Sequence, residues 1–366
     1  MARDSHVLLP LGGRGLLPWH RCGWVMNITL QFYTATLLVY SGVAVMACLG
    51  LHVQYSCAGI VNLGFVIYQA AGAYVAGVLT LGPPTPASQG GFQEYIGGSR
   101  LPFPLPLLAA AAAGALLSVL SGLIVLSRLR RDYQATVLLV FAVVANQVVG
   151  NAKGLFNGYS GLSLIPQPLQ SWLGLSSIGY DWAYAVYTAV LTLVVYQAVR
   201  VVTRSPLGLA WRALRDNDTA AAALGKEVVR LRLTALTVGG AIAGLSGAVL
   251  VQFISVWSPQ SWLFPETLAL FTALIVGGLG NDRGVVAGAL VVLVLFLQAP
   301  SFLPQFLRPG FTSALEWVST ALLTLVFLWF RPRGLVPERI QRLAVARAPG
   351  GNPTTGASPR PSPGSV

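Results

Sequence analysis

Three carboxylates, Asp181, Glu266 and Glu316, stand near the ends of long apolar runs and are the groups best placed for acid–base work at membrane depth. They are scattered along the chain without partner carboxylates, and no Ser and His set accompanies them, so neither paired acid–base nor nucleophilic catalysis is encoded. His6, His20 and His52 are equally isolated and read as loop or interfacial side chains. Cys22, Cys48 and Cys57 follow no metal-ligand spacing, and no structural disulfide is expected. The Gly-Lys pair Gly225 and Lys226 has Ala220 where a phosphate loop needs Gly and Glu227 where it needs Ser or Thr. Any ATP must therefore be hydrolysed by another chain, and ion coupling has only Glu266 and Glu316 to work through.

The segment from 205 to 233 carries more information, because it is hydrophilic enough to leave the membrane yet patterned as helix. Leu209, Arg212, Ala213 and Asp216 fall on one face at helical spacing. Asp216 or Asp218 is placed to cap a second short helix from Thr219 to Leu224, which Gly225 would end in a left-handed conformation. Two short helices on the membrane surface would form a rigid knob. A basic loop that anchors topology on anionic lipid has the same charge pattern.

The elements that position this segment are apolar spans. The chain has 366 residues, 55% of hydrophobic type and 9% charged, with a mean hydropathy of +0.68; soluble domains carry roughly 25% charged residues. Runs near the ~20 residues needed to cross a hydrocarbon core occur at 27–50, 57–81, 105–127, 182–203, 233–255, 284–300 and 313–330. Two shorter or Gly-broken runs, 134–150 and 264–280, are further spans or re-entrant segments. The expected fold class is all-α, a polytopic transmembrane helix bundle of about 8–10 spans. Gly and Ala recur at four-residue spacing, as in Gly240 with Gly244, Ala243 with Gly247, and Gly280, Gly284 and Gly288, which lets helix backbones approach closely in lipid.

The net charge of +12 is distributed as topology requires, not as nucleic-acid binding would. Arg128, Arg130 and Arg131, the group from Arg200 to Arg232, Arg283 and the tail from Arg331 to Arg360 fall on one side of the bundle, with Arg100, Lys153 and Arg308 opposite. This places the C-terminus in the cytoplasm. About nine spans then put the N-terminus outside, against Arg3, Arg14 and Arg21; a re-entrant segment, or translation from Met26, would resolve the conflict. The organisation expected is an N-terminal extension at 1–26, a transmembrane domain at 27–336 and a disordered Pro, Gly and Ser-rich tail at 337–366.

The order Ser-Pro-x-Gly, RALRDND and AAAALG, followed by a basic turn and a Gly-rich span, resembles the LivM-type permeases of branched-chain amino acid ABC importers. NLGF and GAY at 62–74, NGYSGLSLIP at 157–166, AGLSGAVL at 243–250, SPQSW at 258–262, VGGLGNDRGVVAGA at 276–289 and FRPRGL at 330–335 follow the same order, so the likeness spans residues from 55 to 337. It implies an ABC importer permease fold in a bacterial cytoplasmic (inner) membrane, with 205–225 as the coupling loop that docks on an ATPase subunit through Arg212, Arg215, Asp216, Ala222 and Gly225. The implied partners are a second permease of similar fold, two ATPase subunits and an extracytoplasmic solute-binding protein. The chain itself would bind no cofactor, ATP being used by its partners, and would reorient its cavity by alternating access.

The sequence departs from that pattern at Phe65, where members often carry His, and at Trp211 and Asn217, where charged or smaller residues are commoner. For the solute path, Asn62, Asn157, Ser160 and Glu266 are polar groups beside Gly-rich breaks, and half-helix ends near Gly158, Gly161, Gly277 and Gly278 would add backbone dipoles suited to a zwitterion. The solute stays open at this level, since related importers carry urea, short amides or sugars. A membrane-embedded lipid-modifying enzyme is the reading from another class; it expects acidic or His clusters in interfacial loops.

Overall fold

The computed structural model describes residues 18–83, 93–129, 131–168, 170, 177–296 and parts of 318–336. Its helices are, in order, α1 (Pro18–His52, continuing into a π-turn at Val53–Cys57), α2 (Val66–Thr80), α3 (Leu105–Arg128), α4 (Arg131–Asn151) and α5 (Lys153–Phe156). There follow α6 (Ser177–Arg204), α7 (Pro206–Asp216), α8 (Asp218–Ala223), α9 (Val228–Ile254), α10 (Phe264–Gly277) and α11 (Asp282–Ala289, continuing into a second π-turn at Leu290–Phe296). Among the described residues the β-structure is confined to two isolated bridges, Tyr95 with Phe156 and Leu162 with Trp257. The molecule is an all-α bundle, and α1, α3, α4, α6 and α9 each contain a stretch long and apolar enough to cross a membrane. Leu116, Leu120 and Leu123 on α3, Val140, Val144 and Val148 on α4, and Val186, Val190 and Leu193 on α6 are exposed, as lipid-facing stripes must be.

One expected span is corrected, and the two runs left as spans or re-entrant segments are resolved. The run 57–81 is helical only from Val66, and fifteen residues rise about 22 Å, short of the ~30 Å hydrocarbon core. Its first part is irregular, with Gly59 at φ +69°, and Gly64 there lies against the Leu138 carbonyl, where a side chain would clash. The run 134–150, expected as a span or a re-entrant piece, is a full helix. The run 264–280 is a fourteen-residue helix that stops at Gly278, whose φ of +107° only glycine adopts readily. The first seventeen residues, the tail from 337 and much of 313–330 lie outside the described residues.

Helix α9 runs through the centre, flanked by α3, α2 and α1. The four-residue pattern of small residues is used here as expected. A Cβ on Gly240 would meet Ser118 of α3, one on Gly244 would meet the Ala110 carbonyl, and one on Gly247 would meet the Gln69 carbonyl of α2. Tyr184 of α6 donates its hydroxyl to the Val249 carbonyl at 2.7 Å. Gly277, Gly284 and Gly288 let α10 and α11 pack backbone to backbone, whereas Gly280, expected in that row, lies in the turn before α11 at φ +85°; the chain returns there as a strap, with Leu335 and Val336 bonded to Val276 and Gly277 at 2.8 and 3.1 Å.

The loops sort to two ends. At one lie the turn between α3 and α4, the pair α7 and α8, the turn entering α11 and the Leu335 strap. At the other lie 93–104, 151–168 and 255–263, joined by the Leu162–Trp257 bridge with both hydrogen bonds at 2.8 Å. The basic positions 128, 131, 200–232 and 283 thus share an end, and Arg100 and Lys153 lie at the opposite one.

Candidate functional site: a docked helix pair and the polar layer beneath it

Helix α7 starts at Ser205 with Pro206 in its first turn, where a missing N–H costs nothing. Gly208, Trp211 and Leu214 form its buried stripe. Gly208 abuts the Thr203 carbonyl, and Trp211, fully buried, donates Nε1 to the Leu231 carbonyl at 2.9 Å and to Thr234 Oγ1 at 3.2 Å. The indole therefore ties α7 to α9, while Gly208 seats it against the end of α6.

The second helix is capped by Asn217, whose Oδ1 accepts from the Ala220 N–H at 2.9 Å. The cap expected at Asp216 or Asp218 is thus corrected to the residue between them, the one with an extended backbone there. Asp218 instead holds Arg232 of α9 at 3.0 Å. At the far end the Gly225 and Lys226 N–H groups bond the Ala222 and Ala221 carbonyls at 2.9 and 3.1 Å, with Gly225 at φ +77°. This is the left-handed helix stop expected from sequence.

The proposed docking residues divide by direction. Asp216, Ala222 and Gly225 are exposed, and with Leu209, Ala213, Ala220, Ala223 and Leu224 they form an outward face that is mostly small and apolar. Leu224 is 82% exposed at the tip. Arg212 and Arg215 turn onto the chain itself: Arg212 Nη2 donates to the Thr203 carbonyl at 2.9 Å, and Arg215 Nη1 to the Ser56 carbonyl at 2.6 Å. Arg215 also meets the exposed Asp216 at 3.2 Å.

Below the pair lies a buried polar layer that sequence reasoning did not assemble. His52, expected as a loop or interfacial side chain, is corrected: it is 1% exposed, with Nε2 3.2 Å from Asp282 Oδ1. Burial alone would raise the Asp282 carboxyl, but the hydrogen bond with His52 and the charges of His52, Arg204 and Arg212 outweigh it and hold the group below the usual carboxylate range. Gln54 donates to the Leu236 carbonyl at 3.1 Å and accepts from Asn62 Nδ2 at 2.9 Å. Tyr68 and Ser121 pair at 2.7 Å. The available signal was Asp282 in the GNDRG stretch; the 230-residue separation from His52 hid the partner.

The expected path residues lie at three levels. Asn62 is buried in this layer, its Oδ1 accepting from the Gly64 N–H at 3.1 Å. Glu266 is half-buried in the first turn of α10. Asn157, Gly158, Ser160 and Gly161 form one turn at the opposite end, where Asn157 adopts φ +63° and donates to the Gly161 carbonyl at 2.8 Å. Gly277 and Gly278 are buried at the end that carries α7 and α8. Between α1, α6 and α11 runs a groove of about 490 Å³ lined by Leu38, Val45, Val186, Leu193 and Val286 among others. Its walls suit an acyl chain or a helix better than a zwitterion.

The sequence profile of the family described as branched-chain amino acid transport system / permease component matches residues 33–330. The high-affinity branched-chain amino acid transport system permease protein LivM of Escherichia coli is 29% identical over 325 residues, 83% of this chain and 70% of the relative. Its Salmonella typhimurium counterpart is 30% identical over 310 residues, 79% of this chain and 66% of the relative. A probable permease protein LivH of Methanocaldococcus jannaschii is 25% identical over 284 residues, 75% of this chain and 84% of the relative. No solved structure matches the chain. With a matched region that runs from α1 to the last described helical residues, the chain is a multi-pass membrane protein of the branched-chain amino acid transport permease family.

Proposed function

We propose that this chain is one membrane subunit of an ATP-driven importer of branched-chain amino acids, working by alternating access while separate ATPase subunits use the ATP. The observation that carries the reading is the pair α7 and α8: a capped, clamped body with an outward face of alanines, Gly225 and Leu224, built to seat in a groove on another protein and to move as a unit. The partners are a second permease, as LivM and LivH relatives suggest, two ATPase subunits and an extracytoplasmic solute-binding protein. The end bearing 128, 131, 200–232 and Arg283 is cytoplasmic by its charge, and with it the C-terminus. Asn62, Asn157, Ser160 and Glu266 stand along the solute path, with the backbone dipoles near Gly158, Gly161, Gly277 and Gly278.

Uptake of labelled leucine by cells with and without the gene tests this. Deletion is expected to reduce uptake at low solute concentration, with restoration by the cloned gene and competition by isoleucine and valine. Unchanged leucine uptake together with lost urea or acetamide uptake would move the chain to a relative importing those solutes.

A further inference from the structure

The end of α1 and the π-turn that follows are engaged by other elements at His52, Gln54, Tyr55 and Ser56. His52, the last residue of α1, meets Asp282 of α11 at 3.2 Å. Gln54 bonds the Leu236 carbonyl of α9 and the Asn62 side chain leading into α2. Tyr55 sets its ring edge-on to Phe271 of α10 with centroids 5.1 Å apart. The Ser56 carbonyl takes Arg215 of α7 at 2.6 Å. Four neighbouring residues thus connect the docking helix to α2, α9, α10 and α11.

The chemistry of the Arg215 contact makes it a firm grip. A guanidinium stays charged at any physiological pH, and its hydrogen bond to a carbonyl is charge-assisted. The π-turn is where the regular α-helix of α1 ends. Its wider hydrogen-bond ring is a less regular arrangement than the α-helix preceding it, and such turns are frequent at functional sites. A helix that ended in α form would carry Ser56 rigidly with α1, whereas a π-turn lets one carbonyl follow α7 while α1 stays in place.

We propose that the Val53–Cys57 π-turn, held by Arg215, is the joint through which displacement of α7 and α8 reaches Asn62 and the His52–Asp282 pair, so that Arg215 is a positioning residue for transport and not part of the ATPase-binding face. The proposal rests on the coupling role assigned to α7 and α8 above. It explains why the two arginines of this segment point into the chain while its small residues point out.

The test uses the importer purified from its native membrane in mild detergent and reconstituted in vesicles, with Arg215→Met and Arg215→Lys beside wild type. Arg215→Met removes the donor and keeps an apolar stem of similar reach. It is expected to retain its ATPase subunit and hydrolyse ATP within about twofold of wild type while solute uptake falls about tenfold or more, as loss of a charge-assisted hydrogen bond allows. Arg215→Lys, which keeps a charged donor group but not the planar fork or its reach, is expected to recover the uptake only in part. Uptake by Arg215→Met equal to wild type would overturn the joint. Loss of the ATPase subunit from Arg215→Met, with the chain still present in the membrane, would also overturn it by making Arg215 a docking contact. If Arg215→Met does not accumulate, Arg215→Lys carries the test: slowed uptake with hydrolysis retained supports the joint, and fully wild-type uptake opposes it. A wild-type preparation without any ATPase subunit would overturn the importer reading itself, an outcome separate from any difference among the variants.

Discussion

Gly244→Leu is expected to remove the folded chain from the membrane. At this position α9 meets α3 at backbone distance: a Cβ on Gly244 would strike the Ala110 carbonyl and stand 3.2 Å from the Gly114 Cα, while Gly72 of α2 already rests on the Gly244 backbone. Three helices share one contact, so a leucine cannot be absorbed by rotating a neighbouring side chain. Overpacking costs typically 1–3 kcal/mol even where side chains can move, and here about 3 kcal/mol or more is expected because backbones must separate. Fluorescence-detected size-exclusion of a tagged chain checks this: the monodisperse peak should be lost for Gly244→Leu and kept for Gly154→Leu, whose added Cβ meets nothing within 4 Å.

Trp211→Ala should leave the bundle standing but release the docking helices. The indole is fully buried and holds two acceptors on α9, and large-to-small changes at such sites cost about 3–5 kcal/mol. That cost falls on α7, whose tertiary support comes from α6, α9 and the π-turn. Limited trypsin digestion reads the effect. Cleavage at the exposed Lys226 should rise steeply in Trp211→Ala, and uptake should fall about tenfold or more, since a loosened pair transmits no displacement. Trp211→Phe keeps most of the packing and gives up the one shared indole N–H hydrogen bond, a loss of roughly 1 kcal/mol, and should lie between. Equal cleavage in all three proteins would contradict the clamp.

What was legible in the sequence follows from how local each signal is. Apolar runs and the Gly240, Gly244 and Gly247 ladder are repeated short-range patterns, and they led to the bundle and its close packing. The two short helices and the Gly225 stop were also legible, because helix termination is written in adjacent residues. The cap was misassigned by one position because Asn217 lies between two aspartates that cap equally well by residue type. The irregular entry to α2 left no mark in an apolar run; Gly64 is needed only because Leu138, far along the chain, lies against it.

Of the candidate site, the outward face could be located but not its direction. Arg212 and Arg215 look like surface charges in a basic segment, and only the fold reveals carbonyls at Thr203 and Ser56 waiting beneath them. His52 was passed over for the same reason, its partner being contributed by the turn before α11. Phe65 is fully buried and edge-on to Tyr68 at 6.3 Å, a packing role that no local pattern announces.

The most direct test of the account is co-purification of the tagged chain from its native membrane in mild detergent, comparing wild type with Ala222→Arg. Ala222 is exposed on α8, on the face proposed to meet the ATPase subunit, and does not support the chain's own core. An ATPase subunit that accompanies wild type and is lost from an otherwise intact Ala222→Arg is the result predicted. An ATPase subunit retained equally by both, or absent from wild type while other membrane complexes survive the same extraction, would contradict the assignment of α7 and α8 as the coupling element.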